Sequence, residues 1–121
     1  ESDLLAAVDR NDVPVAKVSK RKAHEFNAEY PRGLLHRAFS FFIFNDKNEM
    51  LLTQRATTKI TFPGVWTNAC CSHPLFDMKP NEIDMDPSEA HPIYPGIRNA
   101  AVRKLRHELG IFPQYIPKDD I

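Results

Sequence analysis

A thiol and an imidazole stand two residues apart in the segment Thr67-Asn68-Ala69-Cys70-Cys71-Ser72-His73-Pro74. Along an extended backbone, side chains alternate between faces. Cys71 and His73 then share one face, and Cys70 and Ser72 the other. One face would carry a proton-transferring thiol beside a metal-binding imidazole. Taken alone, the segment equally describes a buried cysteine pair with a histidine at a strand end, because unpaired cysteine is commonly buried. A disulfide between neighbouring residues would be strained, so both cysteines read as free thiols in a reducing compartment.

Two further sets of residues suggest chemistry. His24, His36 and His73 each fall beside a predicted strand end or loop, where a side chain can reach a shared cavity. Three imidazoles suit a divalent transition metal, and added carboxylates would shift the preference toward Mn²⁺ or Mg²⁺. Their wide spacing leaves each one, alone, also consistent with an ordinary surface or hydrogen-bonded histidine, which is how His91 and His107 read. Lys20, Arg55, Lys59 and Lys104 come from four elements, and cations converging from several elements hold a diphosphate; scattered surface charge is the alternative. Glu108, near a helix end, can bind a metal that the diphosphate also binds, or be an ordinary solvated glutamate.

The elements that must position these groups follow from patterning. The 121 residues suit one domain. Their net charge of zero excludes bulk nucleic-acid binding. No apolar run approaches the ~20 residues of a membrane span, and residues 1–12 lack the apolar stretch of a secretory signal. Charge is uneven: 17–22 and 98–106 are basic and 77–89 acidic; the basic clusters suit a small anionic ligand, and each alone also reads as an ordinary solvated surface. Leu4 to Val8 and Val13 to Val18 read as a hairpin about Asp9-Arg10-Asn11-Asp12. Residues 24–35 read as loop. Ala38 to Phe44 reads as a strand buried on both faces, with a turn at Asn45-Asp46-Lys47-Asn48 and a returning strand from Met50 to Arg55. The proline-rich, acidic stretch 75–95 reads as a surface loop. Pro95 opens a helix that Gly110 closes, with Ile97, Ala101, Leu105 and Leu109 on one stripe. Arg98, Arg103 and Arg106 lie away from it, and Lys104 pairs with Glu108.

Together these segments resemble a known family. Gly33-Leu34-Leu35-His36-Arg37-Ala38-Phe39-Ser40, Gln54-Arg55 with Lys59-Ile60-Thr61-Phe62-Pro63-Gly64, Thr67-Asn68 through Leu75, and the helix from Arg98 to Gly110 are similar to type 1 isopentenyl-diphosphate isomerases of eukaryotic kind, a branch of the Nudix superfold. The resemblance covers Leu4 to Ile121. It implies an α+β fold, a Nudix-type mixed sheet flanked by helices in an α/β/α sandwich, incomplete at the C-terminus. Residues 1–121 would be the N-terminal portion of a single Nudix-like isomerase domain.

The resemblance also implies roles. His24, His36 and His73 match the metal-binding imidazoles, and Cys71 the catalytic thiol. Lys20, Arg55 and Lys59 match diphosphate-binding positions, with Ser72 nearby. Lys104 stands where relatives usually carry Arg, and Glu108 matches the carboxylate for a diphosphate-bound Mg²⁺. Mn²⁺ or Zn²⁺ are the other candidates at the histidines. The implied reaction moves the double bond of isopentenyl diphosphate to give dimethylallyl diphosphate, in isoprenoid biosynthesis. The implied partner is a small diphosphate, with neither nucleic acid nor a membrane span. The implied compartment is the cytoplasm, or the peroxisome.

Departures from the family pattern shape the alternatives. The downstream glutamates that complete the family's metal site, and the tryptophan thought to face its cation, are absent from this stretch; Trp66 reads as a packing residue. The expectation is a truncated chain, inactive alone. A Nudix hydrolase of a nucleoside diphosphate is the first alternative, but Arg103-Lys104-Leu105-Arg106-His107-Glu108 puts Lys104 and His107 where hydrolysis needs acids. The second is a non-catalytic fragment that binds metal and diphosphate.

Overall fold

The structure is a computed structural model that describes residues 3–116 and 121. Short strands and helices alternate irregularly in an α+β arrangement. The chain divides into two compact units: one drawn from the segment up to Phe39 and from His73 onward, the other being Ser40–Ser72.

In the first unit, β1 (Leu4–Val8) and β2 (Pro14–Ser19) form the expected antiparallel hairpin, with Leu5 opposite Val18 and Ala7 opposite Ala16. The turn follows from its residues. Asp9 Oδ1 accepts from the amides of Asn11 and Val13, and Asp12 takes the left-handed φ of 63° that Asp tolerates. The other edge of β1 is also used. Ala7 bridges to His36, Leu5 bridges to Leu75, and the Phe76 amide donates to Leu4 O. This central position explains why Leu5, Ala6 and Ala7 are buried. Leu5, Ala23 and Leu75 form the core beside it, with Val18 and Met78 packed on them.

Patterning did not predict the single-turn helix α1 (Lys20–Ala23), capped by Ser19 Oγ, which accepts from the Lys22 amide. Residues 24–35 carry no helix or strand, as expected. The predicted long helix is present as α3 (Pro95–Leu109), with Gly110 at φ 67° closing it. Its buried residues are Gly96, Ala100, Ala101 and Leu105, so the buried stripe runs one residue off the predicted one at the N-terminal end. A short helix, α2 (Pro87–Ala90), precedes it.

The acidic stretch before α3 is not a surface loop throughout. Glu82, Ile83 and Asp84 are buried. Asp84 Oδ1 accepts from the Gly96 amide at 2.9 Å, capping α3 from outside its own sequence neighbourhood. Gly96 permits this approach, because a Cβ there would stand 2.6 Å from Glu82 O. Arg37, buried too, pairs with Asp12 and donates to Asp84 O. Acids in a polar stretch are buried here because each meets a donor.

In the second unit, β3 (Phe39–Phe41) lies beside β6 (Cys70–Ser72), and β4 (Thr53–Gln54) pairs antiparallel with β5 (Trp66–Thr67). The Asn45 turn forms as expected, its Oδ1 accepting from the Lys47 and Glu49 amides. The aromatic strand does not match expectation. It shortens to three residues, and Phe42 and Phe44 are 53% and 58% exposed. The returning strand shrinks to a bridge at Met50 and to β4. Strands of two and three residues cannot enclose an aromatic row from both sides.

Candidate functional site

Three histidines distant in sequence meet in the first unit, each delivered by a neighbour of β1. His24 follows α1, which continues directly from β2. His36 bridges to Ala7 of β1, and His73 stands two residues before Leu75, which bridges to Leu5. Their ring centroids are 4.7 Å apart for His24–His36, 5.3 Å for His24–His73 and 5.2 Å for His36–His73. One ring nitrogen from each lies within 4.8 Å of the others. Nitrogens that share an ion each stand ~2.1 Å from it, so these three lie in the range from which a common cation can be approached.

The tautomers of two rings follow from their partners. Nδ1 of His24 is 2.7 Å from Lys20 O, and Nδ1 of His36 is 2.7 Å from Leu34 O. A carbonyl only accepts, so Nδ1 carries the hydrogen in both rings. Each Nε2 then keeps its lone pair for a cation. Among the described residues, the His73 ring makes no such bond. Its protonation is opposed instead: burial first, then the charges of His36, His24, Lys20 and Lys104, lower its pKa to about 4. A neutral imidazole is the form that binds a metal. The donor set therefore suits a divalent ion.

The sequence-predicted cations divide between the units. In the first, Lys20 opens α1 and is exposed. Lys104, one turn from the end of α3, places Nζ 2.8 Å from Glu108 Oε1, the predicted i,i+4 pair. Lys20 and Lys104 both bear electrostatically on His73. In the second unit, Arg55 donates through Nε to Thr61 O at 3.1 Å, which orders the Phe62-Pro63-Gly64 turn. Lys59 lies exposed in the preceding turn, and Ser72 ends β6.

Cys70 and Cys71 lie on one strand and in no disulfide, Cys70 buried and Cys71 exposed, the split that alternation requires. Cys71 Sγ donates to Asn68 Oδ1 at 3.3 Å and lies 3.3 Å from Ser40 Oγ. Asn68 is held in turn, its Nδ2 donating to Phe41 O and Cys70 O at 2.9 Å each. Asn68, Ser40 and Arg103 fall in the motif segments and Glu82 in the acidic stretch, and sequence reasoning assigns none of them a site role; their partners become visible only in the fold. Among the described residues, no helix is long and apolar enough to cross a membrane.

No family model matches the chain. Curated proteins do match it along nearly its whole length. It is 48% identical over 118 residues to an isopentenyl-diphosphate delta-isomerase of Gibberella zeae, covering 98% of this chain and 44% of that protein. It is 50% identical over 117 residues to the isopentenyl-diphosphate delta-isomerase of Schizosaccharomyces pombe, covering 97% and 48%. It is 43% identical over 120 residues to isopentenyl-diphosphate Delta-isomerase 1 of Bos taurus, covering 99% and 49%. The chain thus spans just under half the length of these three relatives.

Proposed function

We propose, from the premise that the chain belongs to the isopentenyl-diphosphate delta-isomerase family, that the protein interconverts isopentenyl and dimethylallyl diphosphate. The observation that carries the proposal is the convergence of His24, His36 and His73 within 4.8 Å, in a chain whose relatives bear that name. The fold assigned with this reading is of Nudix type, with residues 1–121 forming part of one isomerase domain. The proposed compartment is the cytoplasm.

Moving a double bond along an allylic carbon chain needs a proton added at one carbon and another removed two carbons away. The species between is cationic, so the site must exclude water that would capture it. Cys71 is the proposed proton-transfer group. Its exposure leaves Sγ open to a substrate, and Asn68 and Ser40 orient it. Lys20, Arg55, Lys59, Ser72 and Lys104 are the proposed diphosphate contacts. Charge-assisted donors fix the diphosphate end and so set which carbons meet the acid and the base. Glu108, close to Lys104, is the proposed carboxylate for a cation carried by the diphosphate. His24, His36 and His73 would hold a second divalent ion, which supplies a fixed positive charge that lowers the pKa of a group facing it.

Incubating the full-length protein with isopentenyl diphosphate in heavy water tests the reading. Deuterium should enter the recovered diphosphates, and Cys71→Ala should stop this. Release of phosphate from nucleoside diphosphates without deuterium uptake would instead identify a hydrolase.

A further inference from the structure

Helix α3 reaches the metal-binding segment through an ion pair between half-buried Arg103 and buried Glu82. Arg103 Nε donates to Glu82 Oε2 at 2.7 Å, and its Nη2 donates to Glu82 Oε1 at 3.0 Å. The same Nη2 donates to His73 O at 3.2 Å. Glu82 Oε1 in turn accepts from the Leu75 amide at 3.0 Å. The pair therefore grips the backbone on both sides of Pro74, itself fully buried. The Glu82 side chain is 3% exposed and the Arg103 side chain 26%, so the contact is partly shielded from water.

His73 needs such a grip more than its two partners. His24 and His36 each have a ring nitrogen tied to a carbonyl, which orients the imidazole directly. Among the described residues the His73 ring has no tie, so its place is set through its own backbone. We infer that the Glu82–Arg103 pair is the positioning device of the metal centre, holding the His73–Leu75 backbone where the third imidazole can share a cation with the other two. Neither side chain touches the cation. Their effect passes through His73, as hydrogen-bonded supports of a ligand commonly alter affinity by about 10–100-fold. A bidentate guanidinium is required, because one ammonium cannot meet both carboxylate oxygens and a carbonyl in one plane.

This inference rests on the metal reading above, and its test separates the two. Co²⁺ affinity and visible absorption are measured for the unaltered full-length protein, Arg103→Lys, Glu82→Gln and, as a control, Asp84→Asn. Asp84→Asn disturbs the buried cap at the start of the same helix without touching residues 73–75. Arg103→Lys retains the charge, so a change in affinity reports geometry. The expected result is a loss of about tenfold or more in Arg103→Lys and Glu82→Gln with altered absorption, and little change in Asp84→Asn. Should Arg103→Lys fail to fold, Glu82→Gln decides the question. Equal losses in the control, or unaltered Co²⁺ binding in the folded Arg103 and Glu82 variants, overturn the positioning role. Failure of the unaltered protein to bind Co²⁺ overturns the metal reading and this inference with it.

Discussion

Asn68 accepts the Cys71 thiol at 3.3 Å while its amide nitrogen is committed to two backbone carbonyls, Phe41 O and Cys70 O. The carboxamide cannot flip without losing both donations, so its oxygen stays turned toward the sulfur. This arrangement separates the two adjacent cysteines. Cys71 has Asn68 and Ser40 oriented on its sulfur and is open to solvent, whereas Cys70 is buried. Removing a proton-transfer group typically costs about 10²–10⁴-fold in rate. Cys71→Ala should lose at least that in deuterium incorporation while melting normally. Cys70→Ala should keep most turnover and lose about 1 kcal/mol of stability, as small buried deletions do. Equal rate losses in two folded variants would contradict the assignment.

The imidazole trio leads to a prediction about ligands. Replacing His24, His36 or His73 singly by alanine should weaken transition-metal binding by well over tenfold each, since each supplies one of the three ring nitrogens within 4.8 Å. His91→Ala and His107→Ala should leave affinity unchanged. Titration calorimetry with Zn²⁺ or Co²⁺ distinguishes the two groups. A variant of the trio that binds as tightly as the unaltered protein would place that histidine outside the site.

The lowered pKa of His73 predicts a pH dependence of the metal-free protein. Its folded value is about 4 against an ordinary 6.5. Between these values the unfolded chain binds more protons at this position than the folded one, so unfolding becomes easier as pH falls. This contribution to stability should be intact above about 6.5 and lost progressively toward 4. The ring proton resonances of His73 should titrate near 4 in a pH series of NMR spectra. A midpoint at 6 or above would show that burial and the neighbouring His36, His24, Lys20 and Lys104 do not act as described.

The seat of α3 can be probed at Gly96. A methyl group there meets Glu82 O at 2.6 Å, backbone that cannot swing aside. Gly96→Ala should therefore destabilise the fold by about 1–3 kcal/mol, despite the better helix propensity of alanine. Asp84→Ala should cost about 1–2 kcal/mol through loss of the helix cap. Chemical denaturation curves give both values. A stabilised Gly96→Ala would mean that α3 does not rest against residues 82–84.

Some of this protein was legible in its residues. The β1–β2 hairpin follows from apolar runs around an aspartate-rich turn. The limits of α3 follow from Pro95 and Gly110, and the Cys70–Cys71 split from period-two alternation. All are local effects, carried by neighbouring dihedrals and by side chains that bond within a few residues. The histidines were chemically legible as a possible metal set, and the family resemblance singled them out. That they meet was decided by tertiary structure. His36 and His73 reach one place because β1 is paired along both edges, and no local preference encodes which distant segment fills the second edge. The same reason hid the burial of Glu82 and Asp84, which look like surface acids until Arg103 and the α3 amides supply donors. It also hid the shortened aromatic strand, since a row of phenylalanines records a tendency to be covered but not the presence of a cover. Sequence determined the local turns, the helix limits and the reactive residue types. Tertiary pairing decided which of them share a site, because long-range contacts depend on the whole packed arrangement and leave no periodic trace in the chain.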